Sequence, residues 1–169
     1  YRLSLVRTNA SRDLPPAATP HRFPLVIFAP SWGGRHDQNT VQCEELASHG
    51  FVVVGINHPY SSESTPFPDG RTVRRTLGEW LDCSSDAAVV ECVRVAQDQL
   101  RIRSADVRFV LDRFEQPGEA DGLRRIAQHV DIERAGIFGH SFGGAVAAEI
   151  CRTDQRIKAG VNYDGAIFG

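Results

Sequence analysis

Short apolar runs rich in β-branched residues alternate along this chain with longer segments whose apolar residues recur at helical spacing. The runs 24–29 and 51–56 are continuous and apolar, which is typical of parallel strands covered on both faces. Between them, residues 39–49 have helical spacing and are followed by Gly50, a residue that commonly ends helices. This part of the chain therefore predicts a strand-helix-strand unit.

The same alternation continues to the end of the chain. The further predicted elements are a strand over 2–6, a helix in two pieces over 86–115, a short helix over 123–130, a strand over 135–138, a helix over 145–151 and a strand over 157–163. Residues 61–85 are rich in Ser, Thr, Pro and charge and predict no regular element. We expect one α/β domain over 1–169, with a doubly wound, mostly parallel sheet and an excursion over 61–98 at its edge.

The sequence Gly139-His140-Ser141-Phe142-Gly143-Gly144 joins the predicted strand over 135–138 to the next helix. In a catalytic serine elbow, this turn is so tight that the residues two before and two after the serine have no room for a side chain. Gly139 and Gly143 meet that demand, and Ser141 would stand at the C-terminal edge of the sheet. We predict that Ser141 is a nucleophile; the alternative is a glycine-rich turn with a structural serine.

A serine nucleophile needs a base, an acid that orients the base, and two N–H groups for the oxyanion. Asp164 follows the predicted strand over 157–163 at the same edge and is the predicted acid, although such a carboxylate can also cap a turn. Asp154 is less well placed. We predict the N–H groups of Phe142 and Trp32 as oxyanion donors, and Trp32 can equally serve as an aromatic cover for the sheet end.

The base is the partner that these residues do not supply. His140 precedes the nucleophile and would point away from it, and only His58, after the strand over 51–56, reaches the expected edge. Hydrolases with this elbow place the histidine after the acid, and no histidine lies between Asp164 and Gly169. We expect the catalytic histidine beyond Gly169. The strand over 157–163 lacks the charge and proline that protect a sheet edge, so we also expect further strands to follow.

Several segments together carry a more specific resemblance. They are Phe28-Ala29-Pro30-Ser31-Trp32-Gly33-Gly34, residues 46–54, Asn57-His58-Pro59, residues 103–112, and the elbow through Asn162-Tyr163-Asp164-Gly165. This set resembles the plasma-type platelet-activating-factor acetylhydrolases and their bacterial lipase-like relatives, a branch of the α/β-hydrolase superfamily. The resemblance spans roughly residues 24–168, with a gap at 61–98.

The resemblance implies an α/β-hydrolase fold with Ser141 as nucleophile, Asp164 as acid, and Trp32 and Phe142 as oxyanion donors. It implies a histidine several tens of residues beyond the acid. The chain departs from the family at Pro30-Ser31, where the family usually has His-Gly. This departure bears on substrate selectivity.

Composition narrows the partners. The chain has 41% hydrophobic and 24% charged residues with a formal net charge of -2, and no basic stripe with interleaved aromatics, so we expect no nucleic-acid partner. No apolar run approaches the roughly 18 residues of a membrane span, so we expect no transmembrane segment. The sequence leaves open whether the protein is secreted, periplasmic or cytoplasmic, and it does not give the oligomeric state.

The four cysteines have no Cys-x-x-Cys spacing, which argues against a zinc site. Cys43 and Cys151 lie in helical patterns and are predicted to be small buried apolar residues. Cys83 and Cys92 would be able to form a disulfide in an oxidising compartment, but the sequence does not fix their pairing.

Together these observations predict a serine ester hydrolase that cleaves short or modified acyl esters of small molecules or lipids through an acyl-enzyme, without cofactor or metal. A dienelactone-hydrolase-like or polyester-cleaving esterase is an alternative within the same fold. A non-catalytic binding protein of hydrolase fold, lacking the histidine, is an alternative of another class.

Overall fold

The chain forms a four-stranded parallel sheet packed against helices, together with a small separate hairpin. The computed structural model describes residues 8–76, 83–118 and 122–167. In chain order, the elements are β1 (Phe23–Ala29), α1 (Thr40–Ser48), β2 (Val52–Gly55), β3 (Ser64–Pro66), β4 (Thr72–Arg74), α2 (Asp86–Glu115), α3 (Leu123–Ala127), β5 (Val130–His140), α4 (Phe142–Thr153) and β6 (Ile157–Tyr163). The sheet order is β2-β1-β5-β6, and β3 pairs with β4 antiparallel.

The direction of the two crossovers determines where the helices lie. From β1 the chain passes through α1 to β2 on one side, and from β5 it passes through α4 to β6 on the other. Because parallel crossovers are right-handed, α1 and α4 cover opposite faces of the sheet. The connections from β1 and from β5 therefore run to opposite sides of the sheet. The crevice beyond the C-terminal ends of these two neighbouring strands is where such sheets bind ligands.

The main core lies between the sheet and the layer of α2 and α4. Alternate residues of β1, Leu25 and Ile27, are fully buried beneath Val146 of α4. The other side chains that fill this core include Val107, Leu111, Phe114, Ala135, Ile137, Ala147, Ile150 and Ile157. The small residues of α4 allow the helix to pack closely on β5 and β6, which fixes the start of α4 relative to the strand ends.

Helix α2 differs from the two predicted pieces because it runs without interruption over Asp86–Glu115. The segment contains neither glycine nor proline, so nothing breaks its backbone hydrogen bonds. The side chain of Ser85 caps the N-terminus by accepting a hydrogen bond from the Ala88 N–H at 3.3 Å. Helix α2 is therefore a continuous support along one side of the core.

The prediction of no regular structure over 61–85 was wrong for its first half, where β3 and β4 form a hairpin. Pro66 ends β3 and so interrupts no ladder. In the turn, the Phe67 N–H donates to the carbonyl of Arg71 at 2.8 Å, and Gly70 has a φ of +85°. Proline and glycine thus terminate these strands and do not prevent them.

Other predictions differ from the structure in smaller ways. Strand β5 begins at Val130, so the short helix α3 ends before it, and the predicted strand over 2–6 lies outside the described residues. Cys43 is only half-buried and Cys151 is exposed, which corrects the expectation that both are buried. Cys83 and Cys92 form a disulfide. Among the described helices, none combines the length and the apolar character needed to cross a bilayer.

Candidate active site

Ser141 occupies a strained turn between β5 and α4. Its φ is +52° and its ψ is -123°, a backbone conformation that residues other than glycine seldom adopt. The Ser141 N–H donates to the carbonyl of Tyr163 at 2.7 Å, and its carbonyl accepts from the Gly144 N–H at 2.8 Å. Hydrogen bonds on both sides thus hold the turn in place, with the serine half-exposed at the sheet edge.

The glycines around Ser141 are required by close backbone contacts. A Cβ atom on Gly139 would collide with the carbonyl group of Gly143, and one on Gly143 would collide with the carbonyl groups of Ala29 and Pro30. The prediction that these two positions have no room for a side chain is confirmed. The start of α4 therefore lies directly against the end of β1.

Asp164 lies at the same edge as Ser141. The register of β5 and β6 pairs His140 with Tyr163, so Ser141 and Asp164 each follow a paired residue on neighbouring strands. The side chain of Asn162 accepts from the Gly165 N–H at 2.7 Å and donates to the Gly165 carbonyl at 2.9 Å, which fixes the turn around Asp164. The carboxylate of Asp164 is exposed.

Asp154 lies at the other end of β6. It is the C-cap of α4, and its carboxylate is 2.7 Å from the guanidinium of Arg156. Hydrogen bonds from Arg156 hold the pKa of Asp154 below its usual value. This carboxylate joins α4 to β6 and is remote from the edge where Ser141 stands.

The loop after β1 brings the second predicted oxyanion donor to the serine elbow. The Trp32 ring packs edge-on against the Phe142 ring, with 5.0 Å between the centroids. The Ser31 N–H and hydroxyl both donate to Oε1 of Gln38 at 2.9 Å. Nε2 of Gln38 lies 3.1 Å from Nδ1 of His140. No sequence pattern points to Gln38, because polar residues are common in polar loops.

Arg103 of α2 lies behind this loop and is completely buried. Its guanidinium donates to the carbonyls of Pro30 at 3.2 Å and Ser31 at 3.1 Å and to the hydroxyl of Ser61. Burial lowers the pKa of Arg103 to about 10, so the side chain remains charged at neutral pH. An arginine at an inward-facing position of an amphipathic helix was the available signal for this residue.

His58, the one histidine expected at the correct edge, is buried away from Ser141. Its Nδ1 is 2.7 Å from Oδ2 of Asp106, and its ring is 1% exposed. Burial, and secondarily the charge of Arg103, lowers the pKa of His58 despite Asp106. It follows β2, and β1 separates β2 from β5, a distance of about 10 Å at ordinary strand spacing. Within the described ranges no histidine is hydrogen-bonded to Ser141 or Asp164.

Comparison with known proteins identifies the family. The family described as platelet-activating factor acetylhydrolase, isoform II, matches residues 2–169. The chain belongs to this family. A platelet-activating factor acetylhydrolase from Bos taurus is 27% identical over an alignment of 162 residues, and the match covers 89% of this chain and 36% of the relative. A probable 1-alkyl-2-acetylglycerophosphocholine esterase from Arthroderma benhamiae is 26% identical, and the match covers 88% of this chain and 33% of the relative. The chain thus spans about a third of these acetylhydrolase-family relatives.

Solved structures confirm the α/β-hydrolase fold of this acetylhydrolase-family chain. A ferulic acid esterase from Streptomyces cinnamoneus matches with a TM-score of 0.67 and 37% identity, over 89% of this chain and 38% of that one. The alpha/beta hydrolase GrgF from Penicillium sp. sh18 matches with a TM-score of 0.53 and 13% identity, over 83% of this chain and 37% of that one. The second similarity supports the fold alone.

An open cleft of about 490 Å³ lies beside the loop after β1. Its lining residues are Ser31, Trp32, Gly33, Gly34, Arg35, Asp37, Gln38, Glu63 and Arg75. In the part of the chain that the structure describes, no cluster of three or more His, Cys, Asp or Glu side chains is arranged to hold a metal ion. The polar groups at this edge include the Ser141 hydroxyl, backbone N–H groups and the Asp164 carboxylate.

Proposed function

We propose that this protein is a serine hydrolase of carboxylic esters. The observation that carries the proposal is the backbone of Ser141, a positive-φ turn at the C-terminal edge of β5 with the first turn of α4 directly after it. A strained serine in this position is the mark of a nucleophile elbow. The family and the esterase names of its relatives support the same reaction.

In the proposed reaction, Oγ of Ser141 attacks the ester carbonyl carbon while a histidine takes its proton. The N–H groups of Trp32 and Phe142 bind the oxygen that becomes negative. Phe142 begins α4, where the positive end of the helix dipole favours an anion. The histidine then protonates the departing alcohol, and water hydrolyses the acyl-enzyme. Asp164 orients the histidine.

We place the histidine outside these 169 residues. His58 does not suit the role, because its side chain is buried and it follows β2, which β1 separates from the strand that leads to Ser141. His140 is paired with Gln38. The relatives are almost three times as long as the matched segment, which leaves room for a histidine in the remaining chain.

For the substrate, we propose a short or modified acyl ester, since two relatives are named for acetyl esters. The second candidate is an aromatic acyl ester. The specific observation for it is the 37% identity to a ferulic acid esterase, which exceeds the 27% identity to the bovine acetylhydrolase. A polyester-cleaving or dienelactone-hydrolase-like activity has no comparable observation in its favour.

The test is to incubate the full-length protein with a fluorophosphonate probe and to map the adduct by mass spectrometry. We expect labelling at Ser141 and hydrolysis of p-nitrophenyl acetate. Ser141→Ala is expected to abolish labelling and to lower kcat by about 10³-fold or more, since the residue is the nucleophile. The matched control is Ser48→Ala on α1, where the serine is exposed and its hydroxyl contacts only the neighbouring Glu45 and His49.

The rates with acetyl, longer acyl and feruloyl esters then distinguish the two substrate candidates. Labelling at a residue other than Ser141 would contradict the assignment. A folded full-length protein that neither reacts with the probe nor hydrolyses any ester of the series would support the non-catalytic binding protein instead.

A further inference from the structure

Arg103 has a position at the proposed site that neither the nucleophile nor the acid accounts for. We propose that Arg103 is a positioning residue, which orients the Ser31–Trp32 peptide for oxyanion binding and places a buried positive charge behind the oxyanion hole. This inference rests on the proposed function and deepens it. It concerns how the two N–H donors are held, which the serine and Asp164 do not determine.

The geometry of the peptide group links Arg103 to the Trp32 N–H. The Ser31–Trp32 peptide is trans, so the Ser31 carbonyl and the Trp32 N–H point in opposite directions from one rigid plane. Nη1 of Arg103 lies 3.1 Å from the Ser31 carbonyl oxygen. Holding that oxygen fixes the direction of the N–H on the far side. A charged donor on the carbonyl also polarises the peptide, which makes its N–H a stronger donor.

The preceding peptide is fixed from both sides as well. The Pro30 carbonyl accepts from Nη1 of Arg103 at 3.2 Å, and the Ser31 N–H donates to Gln38 at 2.9 Å. The two peptide groups that flank Ser31 are thus both held by side chains from other parts of the chain. The loop has little freedom to turn the Trp32 N–H away from the site.

Arg103 also contacts the rings of both proposed donor residues. Its guanidinium carbon lies 4.9 Å from the centroid of the Phe142 ring and 5.7 Å from that of the Trp32 ring. These distances are in the range of cation–π interactions. A single cation therefore joins the loop after β1 to the first residue of α4, and the spacing between the two donors depends on it.

The charge of Arg103 has no direct carboxylate partner within the described ranges. Its hydrogen bonds go to the neutral oxygens of Pro30, Ser31 and Ser61. The nearby carboxylate of Asp106 already accepts a hydrogen bond from His58. A buried charge without a direct counterion is costly, and such arrangements are retained at functional sites. An oxyanion between Trp32 and Phe142 would supply the complementary negative charge.

The experiment compares Arg103→Met and Arg103→Lys in the full-length protein, with p-nitrophenyl acetate as substrate. Arg103→Met is expected to lower kcat by about 10²- to 10³-fold, the range seen when one oxyanion donor is lost, with KM changed by less than about threefold. Arg103→Lys is expected to lose less, because it keeps the charge but not the planar fork that reaches the two carbonyls and the Ser61 hydroxyl at the same time. The matched control is Arg94→Met on the same helix, an exposed arginine paired with Glu91 and Asp98, which is expected to leave kcat unchanged.

A second readout separates orientation of the oxyanion hole from a general effect on folding. A trifluoromethyl ketone forms a tetrahedral oxyanion with an active serine, whereas the corresponding alcohol does not. Arg103→Met is expected to weaken the ketone about 10²-fold and the alcohol hardly at all. If Arg103→Met does not fold, Ser61→Ala, which removes a hydrogen-bond acceptor of Arg103 and keeps the charge, is expected to give a smaller kcat loss with the same selectivity for the ketone.

Three results would overturn the inference. The first is a folded Arg103→Met whose kcat matches that of Arg94→Met. The second is an equal weakening of the ketone and the alcohol, which indicates a structural role only. If Arg103→Met is unfolded, the third result is a kcat equal to that of the wild type in both Arg103→Lys and Ser61→Ala. A wild-type protein that is not labelled at Ser141 would instead refute the proposed function, and the inference with it.

Discussion

At the scale of single residues, backbone strain coincides with the proposed chemistry. In the described part of the chain, the residues other than glycine with positive φ are Asp13, Tyr60, Ser141 and Asp164. Two of these four are the proposed nucleophile and the proposed acid. Each such conformation costs on the order of 1 to 3 kcal/mol and persists only where the surrounding structure enforces it. At Ser141 the enforcing contacts are the glycines packed against neighbouring carbonyl groups.

The glycine contacts lead to a prediction about Gly143. In Gly143→Ala, the added methyl group meets the carbonyl groups of Ala29 and Pro30, which belong to the backbone and cannot move aside. We expect a loss of about 3 kcal/mol or more in the free energy of unfolding, together with loss of esterase activity, because α4 has to move away from β1. Urea unfolding of the full-length protein measures the first effect.

Gly122→Ala is the control for this change. Gly122 has a φ of -55°, and an added Cβ would meet no atom of the described residues within 4 Å. The unfolding free energy is expected to change by less than about 1 kcal/mol. Equal stabilities of the two variants would contradict the account of the elbow given above.

At the scale of elements, α2 has two functions along its length. Its C-terminal half supplies Val107 and Leu111 to the core beneath α4. At the turn before these residues, Arg103 and Asp106 reach the loops that follow β1 and β2. Because the helix is uninterrupted, the residues that contact those loops are held in place by the same helix that packs in the core. A break in the middle of α2, as the apolar pattern first indicated, would separate the two functions.

Core packing along α2 gives a prediction at this scale. Leu111→Ala removes a fully buried side chain and leaves a cavity between α2 and α4, so we expect a loss of about 2 to 5 kcal/mol in unfolding free energy. The control is Val90→Ala on the same helix, where the side chain is 72% exposed and the change is expected to stay within about 0.5 kcal/mol. Thermal or urea unfolding of both variants measures the difference. Similar losses would show that α2 does not pack as described.

At the scale of the whole molecule, the site forms where the strand order reverses. β1 and β5 are neighbours whose crossovers leave in opposite directions, and Trp32 and Ser141 follow these two strands. Asp164 follows β6 on the other side of β5. At the opposite end of the sheet, Arg156 joins the layers, since its guanidinium is 2.6 Å from Asp112 of α2 and 2.7 Å from Asp154 after α4.

This ion-pair cluster predicts a dependence of stability on pH. Hydrogen bonds from Arg156 lower the pKa of Asp154 in the folded state below 3.8, so the unfolded chain binds protons first as the pH falls. The contribution of Asp154 is therefore fully present above pH 3.8 and is lost as the pH falls through the folded-state pKa. Asp154→Asn is expected to cost about 1 kcal/mol at pH 7.

The measurement is the unfolding free energy of wild type and Asp154→Asn between pH 7 and pH 3. The gap between the two curves is expected to shrink as the pH falls below 3.8. Asp69→Asn is the control, because the Asp69–Arg71 pair is exposed in the hairpin turn and is expected to contribute little at any pH. A gap that is constant over this range would contradict the assignment to the Asp154 carboxylate.

Sequence reasoning succeeded where the determinants lie close together along the chain. The strands of the sheet are continuous apolar runs, and the demand for glycine on both sides of Ser141 comes from a turn of a few residues. Asp164 was placed at the correct edge because it follows a recognisable strand. Two errors show the limit of this reasoning: α2 was predicted as two pieces, and the β3–β4 hairpin was not predicted. Whether a proline ends a strand, or a polar turn remains helical, depends on neighbours in space.

The sequence by itself determined the fold class, the elbow and the approximate positions of the strands of the sheet, because local periodicity and turn sterics specify them. Only the tertiary structure decided the surroundings of the elbow. Arg103 reaches the carbonyl of Pro30, 73 positions earlier in the chain, and His58 pairs with Asp106, 48 positions later. No local pattern encodes such contacts, because they arise from the packing of α2 beside the loops that follow β1 and β2. That packing buries His58 and places a positive charge behind Trp32 and Phe142.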